Sequence, residues 1–177
     1  MNEEQDIQLI QQCLQGSKKA FESIVDKYQK PIFNVALRIL NDTNEAEDIT
    51  QSVFIKAYEN LSDFNVKYKL FSWLYRIAIN ESLNFQNSRR RNETLHEGIV
   101  ADEKTPEELF QDKQANQTIH KAVNRLKIEY QTVIILKHFQ GLSYSQISEI
   151  LDIPEKTVKS RLFSARQQLK DILIKQL

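Results

Sequence analysis

The stretch from Leu142 to Leu173, LSYSQISEILDIPEKTVKSRLFSARQQLKDIL, constrains the fold of this chain more than any other. It predicts two helices joined by a tight turn. Ser143 and Gln146 are spaced as a capping box at the start of the first helix. Asp152-Ile153-Pro154 interrupts the helical pattern, and Pro154 suits the first turn of a second, longer helix.

The second helix of this stretch has one apolar and one basic face. At about 100° per residue, the apolar face holds Val158, Leu162, Ala165 and Leu169, and the other holds Lys156, Lys159, Ser160, Phe163, Gln167 and Lys170. A basic helix after a short turn has the form of a helix-turn-helix recognition helix. Its lysines would meet phosphates, Ser160 a base edge and Phe163 a thymine methyl. The alternative is a solvated face with Phe163 docked on a neighbouring domain.

Glycine, proline and cysteine usage limit the fold class. Three Gly and three Pro in 177 residues, with helical apolar spacing throughout, predict an all-α protein. The single Cys13 excludes an intramolecular disulfide and a cysteine-based metal site. We expect two small helical bundles joined by a flexible acidic linker, with the helix-turn-helix in the second.

The charges are unevenly distributed, although 24 basic and 24 acidic residues cancel. Residues 118–177 hold ten Lys/Arg and five acids, a net of +5, while residues 92–117 hold two and seven, a net of −5. Residues 1–91 balance at twelve each. A basic C-terminal unit therefore follows an acidic connector.

No targeting or catalytic pattern emerges. No apolar run approaches the ~20 residues of a membrane span, and the start, MNEEQDIQ, does not resemble a signal peptide. We therefore expect a cytoplasmic location without membrane insertion. His96, His120 and His138 lack metal-ligand spacing, and there is no phosphate-binding loop or nucleophile motif. We predict no catalytic residue, no metal and no cofactor.

The segment EAEDITQSVFIKAYENL predicts a helix capped by Asn44, with Ala46, Ile49, Val53 and Ala57 buried. Asp48, Gln51 and Ile55 lie on its far side, flanked by Glu47 and Phe54. An Ile on a polar face is either a stray exposed apolar residue or part of a partner-binding surface.

A break in the helical pattern follows at DFNVKYKL, which combines Phe64 and Tyr68 with Lys67 and Lys69. Such a loop could bind single-stranded nucleic acid, because bases stack on aromatic rings while lysines contact the backbone. The alternative is an ordinary connection with its aromatic rings turned inward.

The next predicted helix, FSWLYRIAINESLNFQNSRRR, combines an apolar and a polar stripe. Leu70, Leu74, Ile77, Ala78 and Phe85 share one side, and Arg76, Asn80, Asn84 and Asn87 share another. Amides and a guanidinium can hydrogen-bond bases or phosphates, and Arg89-Arg90-Arg91 makes the end basic. We divide the chain into a first domain at 1–91, a linker at 92–112 and a second domain at 113–177.

These segments, in this order, resemble an extracytoplasmic-function (ECF) sigma factor of bacterial RNA polymerase. AFESIVDKYQKPIFNVALRIL looks like the start of the family's first conserved domain, and EAEDITQSVFIKAY is similar to its polymerase-docking helix. FSWLYRIAINESLNF is similar to the helix beside the minus-ten element. HFQGLSYSQISEILDIPEKTVKSRLFSARQQL matches the domain that reads the minus-thirty-five element. Asp152 and Ser148 depart from the usual Gly and Ala, and Lys127-Ile128 from a common proline turn.

The resemblance implies three sets of site residues. Those for the β′ clamp helices of core RNA polymerase are Glu47, Asp48, Gln51, Phe54 and Ile55. Those for the minus-ten element are Phe64, Lys67, Tyr68, Arg76, Asn80, Asn84, Arg89 and Arg90. Those for the minus-thirty-five element are Lys156, Thr157, Lys159, Ser160, Arg161, Phe163, Ser164 and Gln167.

The resemblance also implies the partners and the activity. The partners would be core RNA polymerase, through its β′ clamp helices and β flap, promoter DNA, and an anti-sigma factor. The chain would direct promoter recognition, DNA opening and transcription initiation without hydrolysing a nucleotide. A stand-alone helix-turn-helix regulator and a helical adaptor protein are the alternatives. The former needs neither the aromatic-amide helix nor an exposed Ile55, and the latter leaves the basic helix face unexplained.

Overall fold

The structure, a computed structural model, describes residues 3–95 and 112–175, and every regular element in these ranges is helical. The α-helices are α1 (Glu3–Leu14), α2 (Lys18–Leu40), α3 (Thr43–Glu59), α4 (Leu70–Leu95), α5 (Asp112–Asn124), α6 (Ile128–Ile134), α7 (Tyr144–Leu151) and α8 (Glu155–Ile174). A 3₁₀ turn spans Leu61–Asp63, and a π-helical segment spans Ile135–Phe139. The predicted all-α fold is confirmed, while residues 96–111, which include His96 and most of the predicted linker, lie outside the described residues.

The first bundle comprises α1 to α4, and its helix ends follow local sequence signals. The N–H of Ser17 donates to the carbonyl of Gln12 (3.0 Å) around Gly16, whose φ is +94°, so α1 ends in a Schellman motif. Ser17 then caps α2 by accepting from the N–H of Ala20. Pro31 lies inside α2 without ending it. Asp42, rather than the predicted Asn44, caps α3 by accepting from the N–H of Glu45 at 2.9 Å.

A buried polar contact joins α1 to α2. Asp6, only 5% exposed, accepts hydrogen bonds from the Tyr28 hydroxyl (2.6 Å) and from Lys27 Nζ (2.5 Å). Burial and the neighbouring carboxylate raise the pKa of Tyr28, which therefore keeps its donor proton at neutral pH. A buried carboxylate must be paired to be tolerated, so this contact fixes how α1 sits on the bundle.

The second bundle comprises α5 to α8 and contains the helix-turn-helix. The capping box predicted at Ser143 and Gln146 is present, with both hydrogen bonds formed. Asp152 ends α7 in the left-handed conformation, at φ 54°. The Ser148 hydroxyl donates to the carbonyl of Ile153 at 2.5 Å, while the N–H of Ile153 donates to the carbonyl of Ser148. Ser148 therefore closes the turn through its side chain, a role that alanine could not fill.

The two bundles share one apolar core. The buried side chains of both form a continuous cluster that includes Leu74 of α4 and Leu162 of α8, which are 0% and 1% exposed. Helix α4 packs against α7, and α2 packs against the π-helical segment. The helix-turn-helix is thus held against the first bundle in this conformation.

One predicted core residue is wrong. Phe85, expected on the apolar stripe of α4, is 39% exposed, because the last turns of this long helix extend beyond the buried part of the bundle. Across residues 3–95 and 112–175, no helix is both long and apolar enough to span a membrane. Within those same ranges, no cluster of His, Cys, Asp and Glu side chains could hold a metal ion.

Candidate nucleic-acid interface

Helix α8 presents the predicted polar face to solvent. Val158, Leu162 and Ala165 are buried, and that burial fixes the rotation of the helix. The exposed face holds Lys156, Lys159, Ser160, Phe163 and Gln167, and the half-buried Thr157, Arg161 and Ser164 border it. Phe163 is 66% exposed, so it is not docked on a neighbouring part of the described chain. The geometry fits a helix inserted into the major groove.

Tyr144, which the sequence did not single out, lies beside the basic face of α8. Lys159 Nζ lies 5.6 Å and Lys137 Nζ 4.8 Å from the centre of its ring. Lys137 also donates to the carbonyl of Leu142, at 3.0 Å. The first turn of α7 therefore gathers two ammonium groups around an aromatic ring, an arrangement that attracts a phosphate. The signal in the sequence was only the position of Tyr144 directly after a helix cap.

Helix α3 presents an exposed face that combines acidic and apolar side chains. Glu47, Asp48 and Gln51 are exposed, and Ile55 is 58% exposed. Tyr58, one turn further on and 51% exposed, enlarges this patch, and its ring packs edge-on against Phe21 at 4.9 Å. Tyr58 is not among the predicted docking residues, although its spacing of three from Ile55 places it on the same side of the helix.

Phe54 does not belong to this face. It is 7% exposed and lies in the apolar core, because it falls on the side of α3 that turns toward the bundle. Its side chain therefore adds almost nothing to the exposed face of α3 in this conformation, and its role in docking stays a prediction.

The two aromatic rings in the connection from Phe64 to Lys69 differ in their exposure to solvent. Phe64 is half-buried against Trp73, with ring centres 5.1 Å apart, whereas Tyr68 is 52% exposed. Lys67 is exposed. Phe64 therefore turns inward, whereas Tyr68 is exposed, and the binding of single-stranded nucleic acid by this loop stays a prediction.

The polar stripe of α4 is divided between solvent and a neighbouring helix. Asn80 and Asn84 are exposed, whereas Arg76 is half-buried. Arg76 Nε donates to the carbonyl of Ile150 (3.0 Å) and Nη2 to that of Glu149 (2.6 Å). These carbonyls belong to the last turn of α7, where the helix provides them with no partner and its dipole favours a cation.

The basic end of α4 is also engaged. Arg89 forms an ion pair with Glu45 in the first turn of α3, at 3.0 Å. Arg90 lies outside the residues whose side chains the structure describes. The structure therefore brings Arg76, Asn80 and the α8 residue Arg161 to one cavity of about 200 Å³ between the bundles, and it leaves Arg89 at a separate place on the first bundle.

Two family models match the chain. Residues 24–92 match "Sigma-70 region 2" and residues 116–169 match "Sigma-70, region 4". The first match covers α3 and most of α2 and α4, and the second covers α6, α7 and most of α5 and α8. The matched residues therefore contain all three faces described above.

Similar proteins cover almost the whole chain. The RNA polymerase sigma-H factor of Pseudomonas aeruginosa is 34% identical over 98% of this chain and 96% of its own. The ECF sigma factor SigW of Bacillus subtilis is 36% identical over 91% and 92%. A solved structure of the sigma factor RpoE with the anti-sigma factor NepR, from Bartonella quintana, superposes with a TM-score of 0.71 at 25% identity, covering 88% and 97%. CnrH in complex with the cytosolic domain of CnrY superposes at 0.74 and 21% identity, covering 96% and 97%, which shows a shared fold. The chain belongs to the ECF family of RNA polymerase sigma factors.

Proposed function

We propose that this chain binds core RNA polymerase and directs promoter recognition, DNA opening and transcription initiation. One observation carries the proposal: relatives named as sigma factors align over at least nine tenths of the chain, 98% and 91% for the two described above. All three exposed faces lie in the aligned bundles. A face for a protein partner and two for nucleic acid are what such a factor needs.

The docking surface would be the exposed face of α3. Ile55 and Tyr58 form an apolar centre, with Glu47, Asp48 and Gln51 around it. An apolar anchor surrounded by polar groups is the usual composition of a protein interface. The proposed partner of this surface is the β′ clamp helices, and the β flap is proposed as the contact of the second bundle.

The upstream contact would be made by α8 in the major groove of the minus-thirty-five element. Lys156 and Arg161 would contact phosphates and so set the register of the helix on the duplex. Phosphate contacts by themselves carry no sequence information. Phe163, 66% exposed among polar neighbours, would supply an apolar contact to a thymine methyl, with Lys159 and Ser160 beside it.

The downstream contact would be made by Tyr68, Lys67 and the exposed amides of α4 on the opened minus-ten strand. Tyr68 is 52% exposed and can stack on a base. Stacking is worth about 1–3 kcal/mol per base, which offsets the few kcal/mol that unstacking and unpairing cost. The free energy for opening comes from binding, so we propose that the chain is not an enzyme. It would act in the cytoplasm, where the polymerase works.

We also propose an anti-sigma factor as a regulatory partner. The Bartonella quintana sigma factor, 25% identical over 88% of this chain, was solved in complex with one. Co-purification of the tagged chain from its own cells, with and without an excess of core polymerase, would test this. A partner released as core polymerase is added would support it.

Run-off transcription with purified core polymerase on a genomic promoter library tests the main proposal. We expect initiation at a limited set of sites only when both the chain and core polymerase are present. The stand-alone regulator predicts the opposite: tight sequence-specific binding to duplex DNA by the free chain, unaffected by core polymerase.

The Ile55→Glu variant tests the docking surface. It places a charge at the apolar centre of the α3 face, and we expect at least tenfold weaker core binding, since a hot-spot side chain contributes about 2 kcal/mol. Leu14→Glu is the matched control, because Leu14 is 56% exposed but lies on α1, which is assigned to no polymerase contact. Equal affinities of the two variants would remove Ile55 from the docking surface. Circular dichroism would verify that both variants fold.

A further inference from the structure

We infer that α1 supplies one wall of a site for a single unstacked base, beside the loop from Phe64 to Lys69. The inference rests on the proposed function and deepens it, because it takes the base to come from the opened minus-ten strand. Helix α1 lies before residue 24, where the match to Sigma-70 region 2 begins, so that match assigns α1 no role. Three observations carry the inference: a groove, the exposed apolar side chains that line it, and a carboxylate among its lining groups.

The groove lies between α1 and the loop, and both of its walls are fixed. Its volume is about 140 Å³, and the buried Ile10 and half-buried Phe64 line it. Phe64 is held by Trp73, with ring centres 5.1 Å apart. Helix α1 is held by Asp6, which also lines the groove and is bonded to two side chains of α2. A site formed before its ligand arrives loses little conformational entropy on binding.

Apolar side chains from both walls are exposed at this groove. Ile7 of α1 is 37% exposed, and Val66 and Tyr68 of the loop are 62% and 52% exposed. Aromatic rings hold single-stranded nucleic acid because each base can stack on them. Tyr68 provides such a ring on one wall, and Ile7 provides aliphatic surface on the other. A base in the groove would therefore contact apolar groups from both walls.

The charges at the groove favour a nucleic-acid strand over an apolar molecule. Lys67 and Lys69 both line the groove, and both are exposed. Lysines beside an aromatic groove attract the phosphates on either side of a stacked base. Two acids also line the groove, and each contacts Lys69: Glu3 Oε1 lies 2.6 Å from its Nζ, and Glu149 Oε1 accepts from its N–H at 3.0 Å.

Glu3 gives the site a preference among bases. The side chains of Glu3 and Lys69 are 59% and 43% exposed, and an ion pair so exposed contributes little to stability. A carboxylate has about four acceptor positions, so Glu3 can accept a further hydrogen bond. Carboxylates accept from the exocyclic amino group of a base such as cytosine. Thymine is the DNA base without that group, so we expect the site to disfavour it.

Fluorescence anisotropy of the full chain with short labelled oligothymidylates would test this preference. One strand carries a central cytosine, and the other carries uracil there, which has a carbonyl in place of the amino group. We expect the cytosine strand to bind at least about threefold more tightly, because hydrogen bonds to charged groups are among the stronger ones. Glu3→Gln should make the two affinities nearly equal, since an amide can also donate to uracil. Glu4→Gln removes the same charge from a residue that does not line the groove, and it should keep the preference.

The Ile7→Ala variant tests the wall that α1 supplies. It shortens a side chain at the groove, so it should weaken the binding of both strands about threefold. Alanine favours the helix, and the fold should therefore be retained. Leu14→Ala is the matched control, because Leu14 is 56% exposed on the same helix but does not line the groove. Equal affinities of these two variants would overturn the inference.

Crosslinking would locate the bound base without any substitution. The central cytosine is replaced by an iodinated cytosine, the complex is irradiated, and the attached peptides are identified by mass spectrometry. We expect attachment to α1 or to Tyr68. Attachment confined to other elements, or no binding of either strand by the parent chain at low salt, would overturn the inference.

The transcription assay decides the proposed function separately. A chain that initiates transcription, but whose Ile7→Ala and Glu3→Gln variants bind both strands as their controls do, would keep the proposed function and overturn the inference. A chain that is inactive in transcription but loses its preference for cytosine in Glu3→Gln would refute the proposed function. The single-strand site at α1 would then remain.

Discussion

On α8 the side chains proposed to contact DNA are exposed to solvent. On α4 the central residue of the polar stripe, Arg76, is already hydrogen-bonded to another helix. Phe163 is 66% exposed, while Arg76 is half-buried and bonded to two carbonyls of α7. Both faces are marked by polar and basic residues on a helix. The difference shows that composition locates a candidate nucleic-acid face but not whether that face is available.

The largest effect we predict concerns the core that both regions share. Leu74→Ala and Leu162→Ala each remove a side chain that is at most 1% exposed, so each should lower the free energy of unfolding by about 2–5 kcal/mol. Because their core is continuous, both variants should shift the same single thermal transition. Two transitions, each sensitive to only one variant, would separate the bundles energetically. Phe163→Ala is the control and should change stability by less than about 0.5 kcal/mol.

The next prediction compares two promoter templates in order to separate the roles of the two proposed nucleic-acid faces. Phe163→Ala and Tyr68→Ala should each reduce initiation on a complete promoter about tenfold or more, since a base contact or a stacked base is worth about 1–3 kcal/mol. On a template that lacks the upstream element, Phe163→Ala should have no further effect, while Tyr68→Ala should remain impaired. Equal losses on both templates would show that the two residues do not serve different elements.

A smaller effect on the free energy of unfolding is expected from replacing one serine in each region. Ser148 donates to the carbonyl of Ile153 across the turn, whereas Ser82, buried in α4, donates to the carbonyl of Ala78 within its own helix. Ser148→Ala should cost about 1 kcal/mol, because the turn loses a hydrogen bond. Ser82→Ala should be close to neutral, because that carbonyl belongs to the helical ladder and alanine favours the helix. Chemical denaturation measures both, and a greater loss for Ser82→Ala would contradict the assignment.

The smallest effect is the pH dependence of the contact between the regions. Burial and the charge of Arg38 lower the pKa of His120 below its ordinary 6.5, since the ring accepts from Arg38 in its neutral form. The contact between Arg38 and His120 should therefore persist above pH 6.5 and be lost as the pH falls below that value, which would loosen the packing between the two bundles. Distances between spin labels at Lys30→Cys on the first bundle and Lys170→Cys on the second, in a Cys13→Ser background, should be longer or broader at about pH 5.5 than at about pH 7.5.

A substitution separates the effect of His120 from that of His138, the other histidine within the described residues. Burial, Arg166 and Lys137 also lower the pKa of His138, which lies within the second bundle. His120→Gln keeps an acceptor but cannot titrate, so it should remove the acid-induced change in distance. An acid response that persists in this variant would assign the effect to another group.

The sequence by itself determined the local structure and the family. The capping box at Ser143, the turn at Asp152 and the buried stripe of α8 were all predicted, because caps, turns and helical periodicity depend on neighbours within a few residues. The ECF family was identified because each segment matches the family by its own local pattern and the segments follow one another in the family's order. The cap of α3 was placed two residues late because both Asn44 and Asp42 suit that position, and only the hydrogen bond decides between them.

The tertiary structure alone decided which side chains are available. Phe54, predicted beside an exposed face, is buried, and Phe85, predicted on a buried stripe, is exposed. Burial depends on where each helix meets its neighbours and on how far α4 extends beyond them. The pairing of Arg76 with α7 joins residues more than seventy positions apart, and no local pattern encodes it. Polar contacts between bundles depend on the relative position of two domains, which periodicity does not specify. That position determines whether the polar face of α4 is open or covered.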